Sequence, residues 1–109
     1  MKIKINNIII EAVECKSLWS KFCGLMFKTK SSPLLFVFER EKTLSIHSLF
    51  CRPFIAIWLD KDKKATKIIE IKNPKPNISG KGRYLLEIPE NDENYYKMIK
   101  YCKKSVGKK

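Results

Sequence analysis

At 109 residues the chain has the length of one ordinary domain, and dividing it would leave two cores too small to stand without metals or disulfides. An apolar share of 44% with 11% aromatic excludes the composition of a disordered chain, and no apolar run reaches the ~20 residues that carry a helix across a bilayer. A formal charge of +12 favours anionic partners, yet only Arg40, Arg52 and Arg83 are arginines, and lysine lacks the planar fork that clamps phosphates and reads bases.

The chain opens on Ile3 and Ile5, then Asn6-Asn7, then the run from Ile8 to Val13. Asparagine tolerates positive φ, so this reads as a hairpin. From Ser17, a suitable N-cap, Leu18, Phe22 and Leu25 fall on one helical face, which predicts a short helix over 17–26. Leu34-Leu35-Phe36-Val37-Phe38 is a continuous apolar run of strand length ended by the charged residues 39–42, and residues 44–46 suit a further short strand. Ile55-Ala56-Ile57-Trp58-Leu59 is a second such run. The two are expected side by side as inner strands of one sheet. Residues 60–64 read as a turn, and in 66–72 Ile69 and Ile71 alternate with Glu70 and Lys72, the period of a half-buried strand. Pro74-Lys75-Pro76 and Ser79-Gly80-Lys81-Gly82 predict an exposed connecting loop. Residues 84–88 are a last strand stopped by Pro89. Asn91 and Asp92 offer an N-cap to a closing helix whose apolar face carries Tyr95, Met98, Ile99, Cys102 and Val106 before Gly107. The expected class is α+β: a single domain, mainly antiparallel β as a compact sheet or barrel-like, with a short helix in its N-terminal half and a C-terminal helix with a basic tail over 92–109.

The four cysteines, Cys15, Cys23, Cys51 and Cys102, include no Cys-x-x-Cys pair and sit among apolar neighbours. They read as reduced core thiols, with no structural zinc. The N-terminus alternates lysine with isoleucine instead of building a signal-peptide core, so a cytoplasmic location is expected. Asp60 and Asp62 resemble a metal motif, but they fall in a turn among Lys61, Lys63 and Lys64, where aspartate serves the backbone. Gly80-Lys81 lacks the upstream glycine and following Ser/Thr of a phosphate-binding loop. No cofactor is expected.

Five segments, in order, resemble the DUF192 domain family, also called UPF0127, in its archaeal form. They are Gly24-Leu25-Met26 with Lys28, Leu35-Phe36-Val37-Phe38, Ile46-His47-Ser48-Leu49-Phe50, the stretch from Pro53 to Asp60, and Tyr84-Leu85-Leu86-Glu87-Ile88-Pro89. The resemblance covers residues 13–91. It implies a compact, mainly antiparallel β fold with a short helix and no established activity. Two positions depart from the pattern: Ser48 stands where the family has Met, and Ile55 where it has Asp.

His47 is the sole histidine, so any His-paired nucleophile must use it. In extended chain it shares a side with Cys51 and could form a reactive pair, although a hydrogen-bonded structural histidine is the commoner outcome. Glu87 lies mid-strand and suits a buried ion pair with Arg52 or Arg83, or a place in a pocket. The leading functional expectation is a non-enzymatic domain that binds a small molecule or peptide in a groove near 46–55, through His47, Phe50, Cys51, Arg52 and Glu87. The alternative is non-specific nucleic-acid binding through Lys97, Lys100, Lys103 and Lys104. Against these stands the plainer reading of core packing and a solvated lysine face, and the sequence leaves ligand and oligomeric state open.

Overall fold

The computed structural model describes residues 1–15, 32–46, 53–73 and 78–102; the helix predicted over 17–26 lies outside them. Strand β1 (Lys2–Ile5) pairs antiparallel with β2 (Ile8–Glu11), Ile3 opposite Ile10. Asn6 and Asn7 take φ of 48° and 70°, the two positive angles a tight hairpin turn demands. Five further strands form one sheet: β3 (Val13–Cys15), β4 (Leu34–Ile46), β5 (Phe54–Leu59), β6 (Ala65–Ile71) and β7 (Ile78–Pro89), in the order β3-β4-β7-β5-β6. All neighbours are antiparallel except β3 with β4. The fold is thus α+β and mainly antiparallel, as expected.

The two apolar runs are both inner strands, but they are not neighbours. β7 lies between them, pairing with β4 on one side and β5 on the other. The central position falls to β7 because Leu85, Leu86 and Ile88 bury as completely as the strands that flank them. Every residue of β5 is buried, which explains a continuous apolar run where a one-sided sheet would alternate. One face packs Leu35, Ile55, Ile57, Leu59, Leu86 and Ile88 beneath the β1–β2 hairpin and a C-terminal helix. The other packs Leu34, Phe36, Phe54, Ala56, Trp58 and Leu85 against Leu44 and Ile78.

Leu44 lies in the short strand expected over 44–46, whereas Ile78 belongs to a part of the sheet that sequence reading assigned to a loop. Residues 78–82 are strand, continuing the ladder with 42–46 after a register shift between Val37 and Lys42. The expected strand boundary at 39–42 is instead an irregularity that bends the β4–β7 ribbon over the second face. There Trp58 Nε1 donates to Leu44 O at 3.0 Å, Thr66 Oγ1 to Lys81 O at 2.9 Å and Lys67 Nζ to Ser79 O at 2.6 Å, so the start of β7 is held against β6 and the sheet curls toward a barrel. The glycines misread as loop formers are required by this closeness. A Cβ on Gly80 would lie 2.9 Å from the Trp58 ring, and one on Gly82 would lie 2.8 Å from Leu59 O. Because the second contact is with backbone, Gly82→Ala is expected to destabilise by about 1–3 kcal/mol, read as a lower urea midpoint at unchanged slope.

Helix α1 (Glu93–Met98) begins at Asp92, whose side chain accepts from Asn94 N at 2.9 Å. Tyr95 and Met98 face the core. The chain then tightens into a 3-10 turn over Ile99–Tyr101. A three-residue period rotates Ile99 off the predicted apolar face, leaving it 37% exposed.

Candidate functional site

Of the residues singled out from the sequence, His47, Phe50, Cys51, Arg52, Lys103 and Lys104 lie outside the described residues. Glu87, Lys97 and Lys100 are described, and they fall on different sides of the molecule.

Glu87 stands on the second face of β7, with Leu34 of β4 and Ala56 of β5 as its register partners. The next residue on that face is Leu85, itself between Phe36 and Trp58. A carboxyl in this apolar setting, 5% exposed, loses the hydration that stabilises its charge, and burial pushes its pKa up to about 8. Glu87 is therefore mostly neutral at pH 7. The predicted ion pair with Arg83 does not form: Arg83 Nε donates to Phe38 O at 3.2 Å and its guanidinium lies over the Tyr84 ring. Both residues are on β7 and share a face, but four residues of extended strand separate them by roughly 13 Å. The groove expected near 46–55 begins at half-buried Ile46, whereas Phe54 and Ile55 are buried within β5. Residues 47–52 join Ile46 at the end of the curled ribbon to Pro53, whose carbonyl accepts from Glu90 N at 3.1 Å, three residues beyond Glu87.

On the opposite face Tyr95 donates through its hydroxyl to Glu70 Oε2 at 2.5 Å. Burial and this carboxylate raise the tyrosine pKa. Burial, aided by Glu70, likewise pushes the Cys102 thiol up to about 11, which keeps it unreactive near neutral pH. Ile55 is the cross-strand partner of Glu70. An aspartate at that position would set a second carboxylate beside Glu70; in this chain isoleucine fills the place.

Lys97 and Lys100 are exposed, as their outer helical positions predicted. With Tyr96 and Tyr101 they face Asn6, Asn7 and Ile8 of the hairpin across an open cleft of about 400 Å³.

No family model matches the chain, and no curated relative does. Two solved structures are similar. One is a putative transcription regulator from Sinorhizobium meliloti 1021, at a TM-score of 0.70 and 13% identity over 81% of this chain and 77% of that one. The other is a protein of unknown function from Novosphingobium aromaticivorans DSM 12444, at 0.69 and 14% over 81% and 70%. This chain shares their fold. Identity at that level carries the fold alone.

Two features escaped sequence reading. Glu70 was assigned to the solvent side of a half-buried strand, but α1 covers that side and Tyr95 reaches it. The cleft joins the first turn of the chain to its last helix, and no local pattern announces a contact over that separation. Asp60 behaves as expected of a turn: its Oδ1 accepts from Asp62 N and Lys64 N at 2.9 and 3.0 Å, and Lys63 supplies the positive φ. Among the described residues no helix is long and apolar enough to cross a membrane.

Proposed function

We propose that the chain is a cytoplasmic, non-enzymatic binding domain of the DUF192 family that takes an amide-bearing small molecule or a peptide segment beside Glu87. Family membership rests on the order of the five motifs, and the free thiol of Cys102 suits a reducing compartment. The observation that carries the binding reading is a buried carboxyl held neutral among the apolar neighbours Leu34, Ala56 and Leu85. A protonated carboxyl presents one donor and one acceptor side by side, the complement of a carboxamide or a peptide unit. Few polar groups in an apolar wall are also what ligand sites use to fix orientation. In the sequence His47, Phe50, Cys51 and Arg52 directly precede Pro53, whose carbonyl accepts from Glu90 N.

Thermal-shift screening of amide-bearing metabolites and short peptides tests the proposal. A ligand at a hundred times its Kd stabilises by about 2.7 kcal/mol, and its effect is expected to vanish in Glu87→Leu and to weaken in His47→Ala. If nothing stabilises the parent, or if the two variants respond as the parent does, the site is structural and the reading fails.

A further inference from the structure

From the cleft between the hairpin tip and the C-terminal helix we infer a second site, independent of Glu87, that binds single-stranded nucleic acid by stacking a base and gripping its phosphates. The open cleft is lined by Asn6, Asn7, Ile8, Tyr96, Lys97, Lys100 and Tyr101 and has a volume of about 400 Å³. That volume lies at the small end of small-ligand sites and suits one nucleotide.

The chemistry of the lining selects among anionic ligands. Tyr96 is 65% exposed and Tyr101 37% exposed, although an aromatic ring left in water gains nothing for the fold. Tyr96 is also braced, its ring edge-on to buried Tyr95 with centroids 5.2 Å apart, so stacking on it costs little ordering. Lys100 Nζ lies over the Tyr101 ring, 5.3 Å from its centroid, so one face of that ring carries a cation and the stacking surface is that of Tyr96. Neither Lys97 nor Lys100 is engaged in an ion pair among the described residues. The hairpin extends the positive surface, for Lys2 and Lys4 are exposed on β1. Glu93, one helical turn before Lys97, is the acidic group on the exposed side of α1. Asn6 and Asn7 are exposed at the hairpin turn, and their side-chain amides carry both a donor and an acceptor.

Rings interleaved with lysines are the means by which proteins hold single strands without sequence preference, stacking serving any base and lysine any phosphate. An acidic peptide would match the lysines but leave the exposed rings unused. The scarcity of arginine argued against clamped phosphates and base-specific readout alike; lysine holds a phosphate only as a point charge, so the inferred recognition is non-specific and rests on stacking beside that charge.

The test is fluorescence anisotropy of the full chain with labelled dodecamers of uridine and of thymidine, titrated between about 50 and 200 mM salt. Binding is expected to weaken with salt, and Lys97→Ala with Lys100→Ala is expected to lower the slope of log K against log salt by about 1.4, at ~0.7 per phosphate contact. Tyr96→Ala is expected to weaken binding about 5- to 150-fold. Lys61→Ala with Lys64→Ala, which removes the same charge from the turn between β5 and β6, is expected to leave both affinity and slope nearly unchanged. Circular dichroism melts confirm that each variant folds. The inference is overturned by absent binding at low salt, by an unchanged affinity in Tyr96→Ala, or by equal loss in the two lysine pairs, which would mark general charge attraction. Tighter sedimentation with phosphatidylserine vesicles than binding to either strand would assign the cleft to membrane surfaces instead.

Discussion

Trp58→Ala is expected to remove about 3–5 kcal/mol of stability, a large part of the 5–15 kcal/mol that holds a typical domain together. Trp58 is fully buried and joins three parts of the fold. Its ring fills the space left open by Gly80, its Nε1 donates to Leu44 O, and the Lys67 ammonium sits 5.3 Å from its ring centroid while bonded to Ser79 O. Alanine leaves a cavity and an orphaned carbonyl at the point where the ribbon bends over the sheet. Trp58→Phe separates the two effects: it fills most of the volume but loses the N–H, at a cost of about 1–3 kcal/mol. Urea titrations of parent and both variants provide the measurement. A loss below about 1 kcal/mol for alanine would mean that the curl stands without the indole.

Stability is expected to fall as pH rises, opposite to the usual behaviour of a glutamate paired in the native state. The Glu87 carboxyl ionises at about 8 in the folded protein against an ordinary value of 4.5. Between those values the native state holds a proton that the unfolded chain has released, so each unit of pH crossed costs about 1.4 kcal/mol. The contribution is intact below about pH 4.5 and lost by about pH 8. Glu87→Gln, neutral throughout, is expected to flatten this part of the profile. Glu87→Leu is expected to be more stable than the parent at pH 8, since replacing a buried, weakly compensated charge with an apolar group of similar volume removes a desolvation cost. A parent profile already flat from about pH 5 to 8 would show that a cation answers the carboxylate.

The parts of the fold that were legible in the sequence are those decided by neighbours in the chain. The apolar run at 34–38, the Asn6-Asn7 turn and the Asp92 cap each carry their cause within a few residues. What periodicity reports is how much of a strand is buried, not which strand buries it, and so the insertion of β7 between β4 and β5 was out of reach. Gly80 and Gly82 show the same limit from the other side: glycine admits a turn and a close approach equally, and only the position of Trp58 and Leu59 decides between them. The candidate sites divide in the same way. Glu87 was conspicuous as an acid inside an apolar strand, whereas the Glu70–Tyr95 bond and the cleft arise where distant segments meet.

The place of β7 also bears on the order in which the protein can assemble. The strand at the middle of the sheet is the last one synthesised, so a nascent chain that has emerged only through residue 73 exposes the apolar edges of β4 and β5 with nothing to separate them. Pairing over such sequence distances is slow, and unpaired edges invite association with other chains. Emergence of residues 78–89 is therefore the event that commits this molecule to its native pairing, and truncation before Pro89 removes the centre of the sheet, not its margin.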